Sequence, residues 1–238
     1  MKIGAIIQAR MASSRLPGKI LMKLPMGGEH SILDHILLRA QQVPLVNEVI
    51  LATSTLADND VLADTFQQVP VFRGSENDVL ERFYEAAQAY ELDHVIRLTA
   101  DNPLIDPTLL QQTLEFHIES GADYTNTTGL PLGMNFEMFR MQALTASHEQ
   151  AQDPAEREHV TVFMKRRPEQ FKLQTKEYNL LPDARMTVDY PSDFAALHLI
   201  FSQLAGKGDS FGIEALQQLV SEHPWVLEIN RQNQQVKV

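Results

Sequence analysis

Residues 3–19 read Ile3-Gly4-Ala5-Ile6-Ile7-Gln8-Ala9-Arg10-Met11-Ala12-Ser13-Ser14-Arg15-Leu16-Pro17-Gly18-Lys19. An apolar run ends in a loop of small residues that carries three cations. The run Ile3–Ala9 predicts a buried strand, because short continuous apolar stretches bounded by polar residues suit the middle of a parallel sheet. The pattern continues outward. Ser31–Val43 predicts a helix, with Ser31 as cap, Asp34 completing an S-x-x-D box, and Leu33, Ile36, Leu37 and Ala40 as its apolar face. Glu48–Ala52 predicts a strand, Asn59–Gln68 a helix, Val69–Phe72 a short strand, Glu76–Tyr90 a helix and His94–Thr99 a fourth strand. Asp106-Pro107 opens a further helix, with Asp as N-cap and Pro at the first helical position.

Strand–helix alternation over the first 120 residues predicts an α/β fold with a mostly parallel sheet covered on both faces. Ligands on such sheets sit beyond the carboxyl ends of the strands. The loops at 10–19, 73–78 and 100–106 all follow strands, so they should gather on one edge. Past Gly121 the pattern changes. Residues 122–140 are rich in Thr, Asn, Gly and Pro, with Met134, Phe136, Met138 and Phe139 interleaved, which suits a strand or a small extended arm. Helices are expected at Gln142–Gln150, Glu156–Arg166, Ser192–Leu204 (ending near Gly206) and Ile213–Glu222, an alternating segment at Phe171–Asn179, and a frayed polar tail from Asn230.

The chain has 238 residues, which fits one domain spanning 1–238. No apolar run is long enough to span a bilayer, and Gln8 and Arg10 interrupt the first one too early for a signal peptide. The lack of cysteine excludes disulfides and thiol catalysis and is compatible with a cytoplasmic location. A net charge of -11 argues against nucleic acid as a partner. Its distribution says more. Residues 1–28 hold five cations and no acid, so the other 210 residues carry -16. One basic corner on an acidic body suggests a small polyanionic ligand, although a first strand and loop that merely lack acids would look the same.

Arg10, Arg15 and Lys19 stand at spacings of five and four among small residues. Small residues let backbone N–H groups approach phosphate oxygens, guanidinium groups grip two oxygens each, and lysine adds a compact charge. The set suits a triphosphate and a departing pyrophosphate; a solvated basic loop is the plain alternative. Neither G-x-x-x-x-G-K-[ST] nor G-x-G-x-x-G is present. Asp101, in Arg97-Leu98-Thr99-Ala100-Asp101-Asn102-Pro103-Leu104, follows a strand, where a carboxylate can hold Mg²⁺ or simply cap a turn.

The string I-I-Q-A-R-M-A-S-S-R-L-P-G-K resembles the opening of the cytidylyltransferase superfamily that makes CMP-sugars, in particular the SpsF-type spore-coat polysaccharide branch, and is similar to the A-R-x-x-S-x-R-L-P-G-K loop of CMP-Kdo synthetases. The resemblance runs from Ile3 to about Leu204. It implies a three-layer, Rossmann-like nucleotide-diphospho-sugar transferase fold. It implies that Ala9, Arg10, Ser14, Arg15 and Lys19 contact CTP, with the three cations on its phosphates. Arg97–Leu104 resembles the family's Q-G-D-E-P-L turn, so Asp101 inherits a metal ligand's role and Thr99 stands where a base or ribose contact is expected. Thr187-Val188-Asp189-Tyr190-Pro191 resembles the late V-D-T-P element, which makes Asp189 the second Mg²⁺ ligand. Asp193 reads instead as a first-turn helix acid.

Val71–Arg82 resembles the segment F-R-G-S-E-x-D-V-L. Arg73 and Ser75 are therefore expected at the nucleotide, while Arg82 reads as structural, the i,i+4 helix partner of Asp78. Ala155-Glu156-Arg157-Glu158-His159-Val160-Thr161 resembles the R-E-H-V-T element, and Gly133–Glu137 resembles G-L-D-V-E with Asn135 in place of Asp. Glu137, Arg157 and His159 become candidates for the acceptor site. The D-x-D string Asp58-Asn59-Asp60 precedes a helix, where Asp is a common cap, so a metal role is disfavoured. The resemblance further implies an Mg²⁺-dependent enzyme that joins CTP to a sugar or sugar acid for surface polysaccharide synthesis, and a homodimer in which 122–180 serves the acceptor or the interface. A glycosyltransferase of related fold and a non-catalytic nucleotide-binding scaffold are the rival readings.

Overall fold

The computed structural model describes residues 1–205 and 211–233. Seven strands form one sheet: β1 (Ile3–Gln8), β2 (Glu48–Ser54), β3 (Val71–Gly74), β4 (His94–Thr99), β5 (Tyr124–Thr128), β6 (Glu137–Arg140) and β7 (Leu173–Glu177). Their order is β3-β2-β1-β4-β6-β5-β7. β6 runs antiparallel to its neighbours β4 and β5, and every other pairing is parallel. The chain's order reverses at β1, which pairs with β2 on one side and β4 on the other. That reversal opens a crevice at the carboxyl ends of β1 and β4, the usual place for a ligand on such a sheet.

Nine α-helices are described: α1 (Ile32–Gln41), α2 (Asp60–Thr65), α3 (Val79–Ala89), α4 (Pro107–Ser120), α5 (Met141–Gln150), α6 (Pro154–Glu158), α7 (Val162–Lys165), α8 (Pro191–Leu204) and α9 (Ile213–Glu222). They make two layers because the strands carry apolar side chains on both faces. Ile3, Ala5 and Ile7 of β1 pack in one core with α1, α4, α8 and α9. Ile6, Ile50 and Ala52 pack in the other, against α3, α5 and α7. Gly4 keeps the second face close, since a Cβ there would lie 2.3 Å from Leu92.

Caps explain several boundaries. Ser31 accepts from Asp34 N, and Asp34 accepts from Ser31 N, which closes the expected capping box. Asp106 caps α4 ahead of Pro107. Four expectations need correction. The helix expected at 76–90 starts only at Val79, because Asp78 is its N-cap and accepts from Glu81 N. The helix expected at 59–68 is α2 alone, entered by a 3₁₀ turn at Ala57–Asn59. The helix expected at 156–166 is two short pieces, broken where Val160 adopts φ 40°. The tail is not frayed as far as it is described: Asn230 is buried and donates to Arg185 O and Asp193 Oδ1, and Asn233 donates to the same carboxylate at 2.7 Å. Gly206 lies outside the described residues.

Residues 122–180 supply β5, β6 and β7, so this segment completes the sheet. No described helix is long and apolar enough to cross a membrane.

Candidate active site

The loop after β1 is held in place by its surroundings. Ala9 N donates to Ala52 O at 3.0 Å, and Met11 N donates to Asn59 Oδ1 at 2.8 Å. Asn59 is itself fixed by a 2.7 Å bond from Nδ2 to Ser54 Oγ. The middle residue of the D-x-D string thus braces the basic loop, while Asp60 pairs with Arg73 at 2.6 Å. Pro17-Gly18 then turns the chain, with Gly18 at φ 68°, a conformation that favours glycine. Lys19 emerges pointing back at the carboxyl end of β4.

There the distant parts meet. Lys19 Nζ donates to Asp101 Oδ2 at 3.0 Å, to Asp189 Oδ1 at 3.0 Å and to Val188 O at 2.6 Å. Arg15 Nη2 donates to Asp189 Oδ1 at 2.8 Å, and its guanidinium lies 5.0 Å from the centre of the Tyr190 ring. Backbone pairing carries Asp189 to Asp101, since Val188 N donates to Asp101 O at 2.9 Å. Thr99 Oγ1 donates to Asp101 Oδ1 at 2.7 Å, and Asn102 Nδ2 donates to Thr99 Oγ1 at 2.8 Å. Behind them Arg185 joins Asp189 (3.2 Å) to Asp193 (2.8 Å). Asp193 also accepts from the backbone N–H groups of Asp189 and Tyr190, so it is the first-turn acid its position suggested and it fixes the Asp189 turn. Burial pushes Asp189 up, but Lys19, Arg15 and Arg185 together hold its carboxyl below the usual range.

This cluster forms one wall of a cavity of about 460 Å³. Arg10, Ser14, Thr99 and His159 line it too. Ala9 lines the neighbouring cavity instead. The other expected residues lie elsewhere. Arg73 donates to Ser54 O and Leu56 O and pairs with Asp60, so its guanidinium is engaged away from the cavity. Ser75 Oγ accepts from Asp78 N in the turn before α3. Arg157 binds Asp78 Oδ2 at 2.6 Å, and Arg82 donates to Ser75 O, which replaces the Asp78–Arg82 pair considered from spacing. Glu137 is enclosed by four partners: Arg97 Nη1 (2.6 Å), Lys165 Nζ (2.6 Å), Tyr124 Oη (2.6 Å) and Thr161 Oγ1 (3.0 Å). Burial opposes its charge, but Arg97 and Lys165 outweigh that and bring its pKa down to about 2. Asn135 holds its own loop, donating to Leu130 O and Pro131 O.

Two site residues escaped the sequence reading. Arg97 lines the main cavity and the smaller one beside Glu137. Arg185 orients both late aspartates. Arg97 sits in the quoted Arg97-Leu98-Thr99 alternation, where a charged residue on a central strand was a signal. For Arg185 no local pattern stood out.

The donor set can be tested against a metal. Two carboxylates converge on one positive point, and both offer hard oxygens, which suits a divalent cation. Among the described residues no group of three or more His, Cys, Asp or Glu converges, so such an ion would complete its shell with phosphate oxygens and water.

Comparison with known proteins places the chain in a family. A cytidylyltransferase family profile matches residues 4–205. The chain belongs to the cytidylyltransferase family. It is 34% identical over 229 residues to the spore coat polysaccharide biosynthesis protein SpsF of Bacillus subtilis, covering 92% of this chain and 94% of that one. The structure of a cytidylyltransferase from Leptospira borgpetersenii superposes with a TM-score of 0.89 at 28% identity, over all of both chains. A CMP:2-keto-3-deoxy-manno-octonic acid synthetase complexed with CTP shares the fold at 18% identity, with a TM-score of 0.67 over 85% of this chain and 99% of that one. This cytidylyltransferase is therefore a nucleotidyltransferase on a mixed, mostly parallel α/β sheet.

Proposed function

We propose that this cytidylyltransferase transfers CMP from CTP to a hydroxyl of a sugar or keto sugar acid, with Mg²⁺, releasing pyrophosphate. The observation that carries the reading is the hydrogen-bonded chain that runs from Arg15 through Asp189 and Lys19 to Asp101. Arg10, Arg15 and Lys19 bind and neutralise the triphosphate and the departing pyrophosphate. Asp101 and Asp189 would hold the metal, which would supply charge neutralisation and polarise the α-phosphate. Thr99 and Asn102 keep Asp101 aimed at the cavity. Arg185 and Asp193 do the same for Asp189. Positioning and preorganised charge supply most of the rate.

The acceptor takes the side of the cavity next to Arg97 and His159. Arg97 Nε and Asn102 Oδ1 are buried there without partners among the described residues, a donor and an acceptor for sugar hydroxyls or a carboxylate. Glu137 acts through Arg97 and Lys165, which it positions. The relationship to SpsF supports a role in surface polysaccharide synthesis. We place the enzyme in the cytoplasm, where CTP is made, as a homodimer that uses part of 122–180.

Pyrophosphate release measured with each of four nucleoside triphosphates against a panel of acidic sugars tests the reading. Release with CTP and at least one sugar acid is expected. Sugar transfer from a sugar nucleotide with no pyrophosphate would overturn it.

A further inference from the structure

A second cavity, of about 610 Å³, opens beside the phosphate site. It lies under the loop between β3 and α3 and is lined by Glu76, Asp78 and Arg82, with Arg157 on the far side. Gln8, Arg10 and His159 line both cavities and mark the passage between them. Three of the side chains that line it each carry a buried polar atom with no hydrogen-bond partner among the described residues: Glu76 Oε2, Gln8 Oε1 and Arg82 Nε. Buried polar groups without partners are rare, and two acceptors and a donor on one cavity point to a ligand with both kinds of group.

The opposite opening, past Arg97, has another character. Lys165 and Arg166 line it, and the acid behind it, Glu137, is fully engaged. Cations without a free acceptor suit an anionic acceptor. The Glu76 cavity offers a free acceptor, and it suits a neutral heterocyclic edge.

We propose that Glu76 selects the nucleotide base by accepting a hydrogen bond at Oε2 from the exocyclic amino group of cytosine. Arg82 Nε faces the ring's acceptor atoms, and Gln8 Oε1, at the passage, accepts from a ribose hydroxyl. The assignment rests on the CTP reading above. A carboxylate accepts and cannot donate. Uracil carries a carbonyl oxygen where cytosine carries its amino group, so UTP would set two acceptors face to face. Glu76 Oε1 is already directed at Arg10, 3.6 Å from Nη1, which leaves Oε2 for the base. Arg10 in turn faces the phosphate cavity, so one side chain links base selection to phosphate binding.

Calorimetric titration of the full chain with CTP and with UTP, both with Mg²⁺, tests this without any knowledge of the acceptor. Wild type is expected to prefer CTP by at least about tenfold. Glu76→Gln can turn its amide to donate, so the preference is expected to fall to about threefold or less. Glu76→Ala should weaken CTP and, by removing the acceptor that faces the uracil carbonyl, leave UTP no weaker or tighten it, and it serves if the Gln variant melts early. A wild type that prefers CTP, with a ratio unchanged in both variants, overturns the role of Glu76 alone. Equal weakening of both nucleotides also overturns it, since that marks a purely structural residue. A wild type that binds no CTP overturns the nucleotide reading and this assignment together.

Discussion

Two ion clusters flank the carboxyl end of β4, and they are built from the same residue types to different ends. Around Glu137, one carboxylate meets Arg97, Lys165, Tyr124 and Thr161, and its lone pairs are used up. Around Lys19, two carboxylates share one ammonium, and one of them, Asp189, also meets the edge of the Arg15 guanidinium, beside an open cavity. Arg97 and Glu137 are register partners across β4 and β6, so their bond ties the antiparallel strand to the parallel sheet. A satisfied cluster holds strands together. A cluster with spare donors and acceptors at a cavity can exchange its partners for a ligand. Ion pairs therefore mark function only where their hydrogen-bonding capacity is incomplete.

The largest effect should separate the two clusters by activity. Asp101→Ala is expected to lower pyrophosphate release from CTP by about a thousandfold with the circular dichroism spectrum unchanged. Turnover at the wild-type rate would break the contrast. Glu137→Ala should act mainly on stability, and on turnover only through the Arg97 and Lys165 that it positions. Removing the shared acid leaves Arg97 without its partner inside the protein, and allowing for the half-exposed Lys165, urea unfolding should register a loss of about 2–3 kcal/mol. An unchanged midpoint would mean that the closed cluster contributes nothing to stability.

A third measurement separates both clusters from a buried neutral pair. His94 Nδ1 lies 3.0 Å from His117 Nε2, whose ring also meets Thr125 Oγ1 at 2.8 Å. Burial, then His94 and Arg140, bring His117 down to about 3, and burial lowers His94 as well. The unfolded chain therefore binds these protons first as pH falls. Stability is full above the ordinary histidine pKa and should decline below about 6.5, by up to about 1.4 kcal/mol per pH unit per histidine, before the carboxylates titrate. Glu137, also held low, joins only below its ordinary value near 4.5. Urea midpoints at pH 7 and 5.5 should differ in wild type and less so in His117→Gln. The smallest effect belongs to Arg73→Ala. Its guanidinium serves Ser54, Leu56 and Asp60 and not the cavity, so KM for CTP should stay within about twofold while stability falls by about 1 kcal/mol or less. A tenfold rise in KM would return Arg73 to the nucleotide site.

Local chemistry made much of this legible. Apolar runs gave β1, β2 and β4, and the caps at Ser31 and Asp106 announced α1 and α4. The basic loop and Asp101 stood out because cations among small residues, and an acid just past a strand, carry their meaning within a few positions. The residues whose surroundings the chain did not announce share a cause. Arg73 and Glu137 look like binding groups in isolation, and only their partners at 17 and 40 residues' distance show them occupied. Asn230 looks like tail until Asp193 and the Arg185 carbonyl are beside it.

The sequence by itself determined the alternation of strands and helices, the two-sided core, the edge on which the loops gather and the cytidylyltransferase character of the opening loop. The first three depend on periodicity and on neighbours, which a linear chain displays, and the last rests on resemblance to a known family. Only the tertiary structure decided which charges remain available to a ligand. That depends on desolvation and on partners brought together from 82 and 174 residues apart, as Lys19 meets Asp101 and Arg15 meets Asp189. The folded sheet sets those distances, and a list of residues does not contain them.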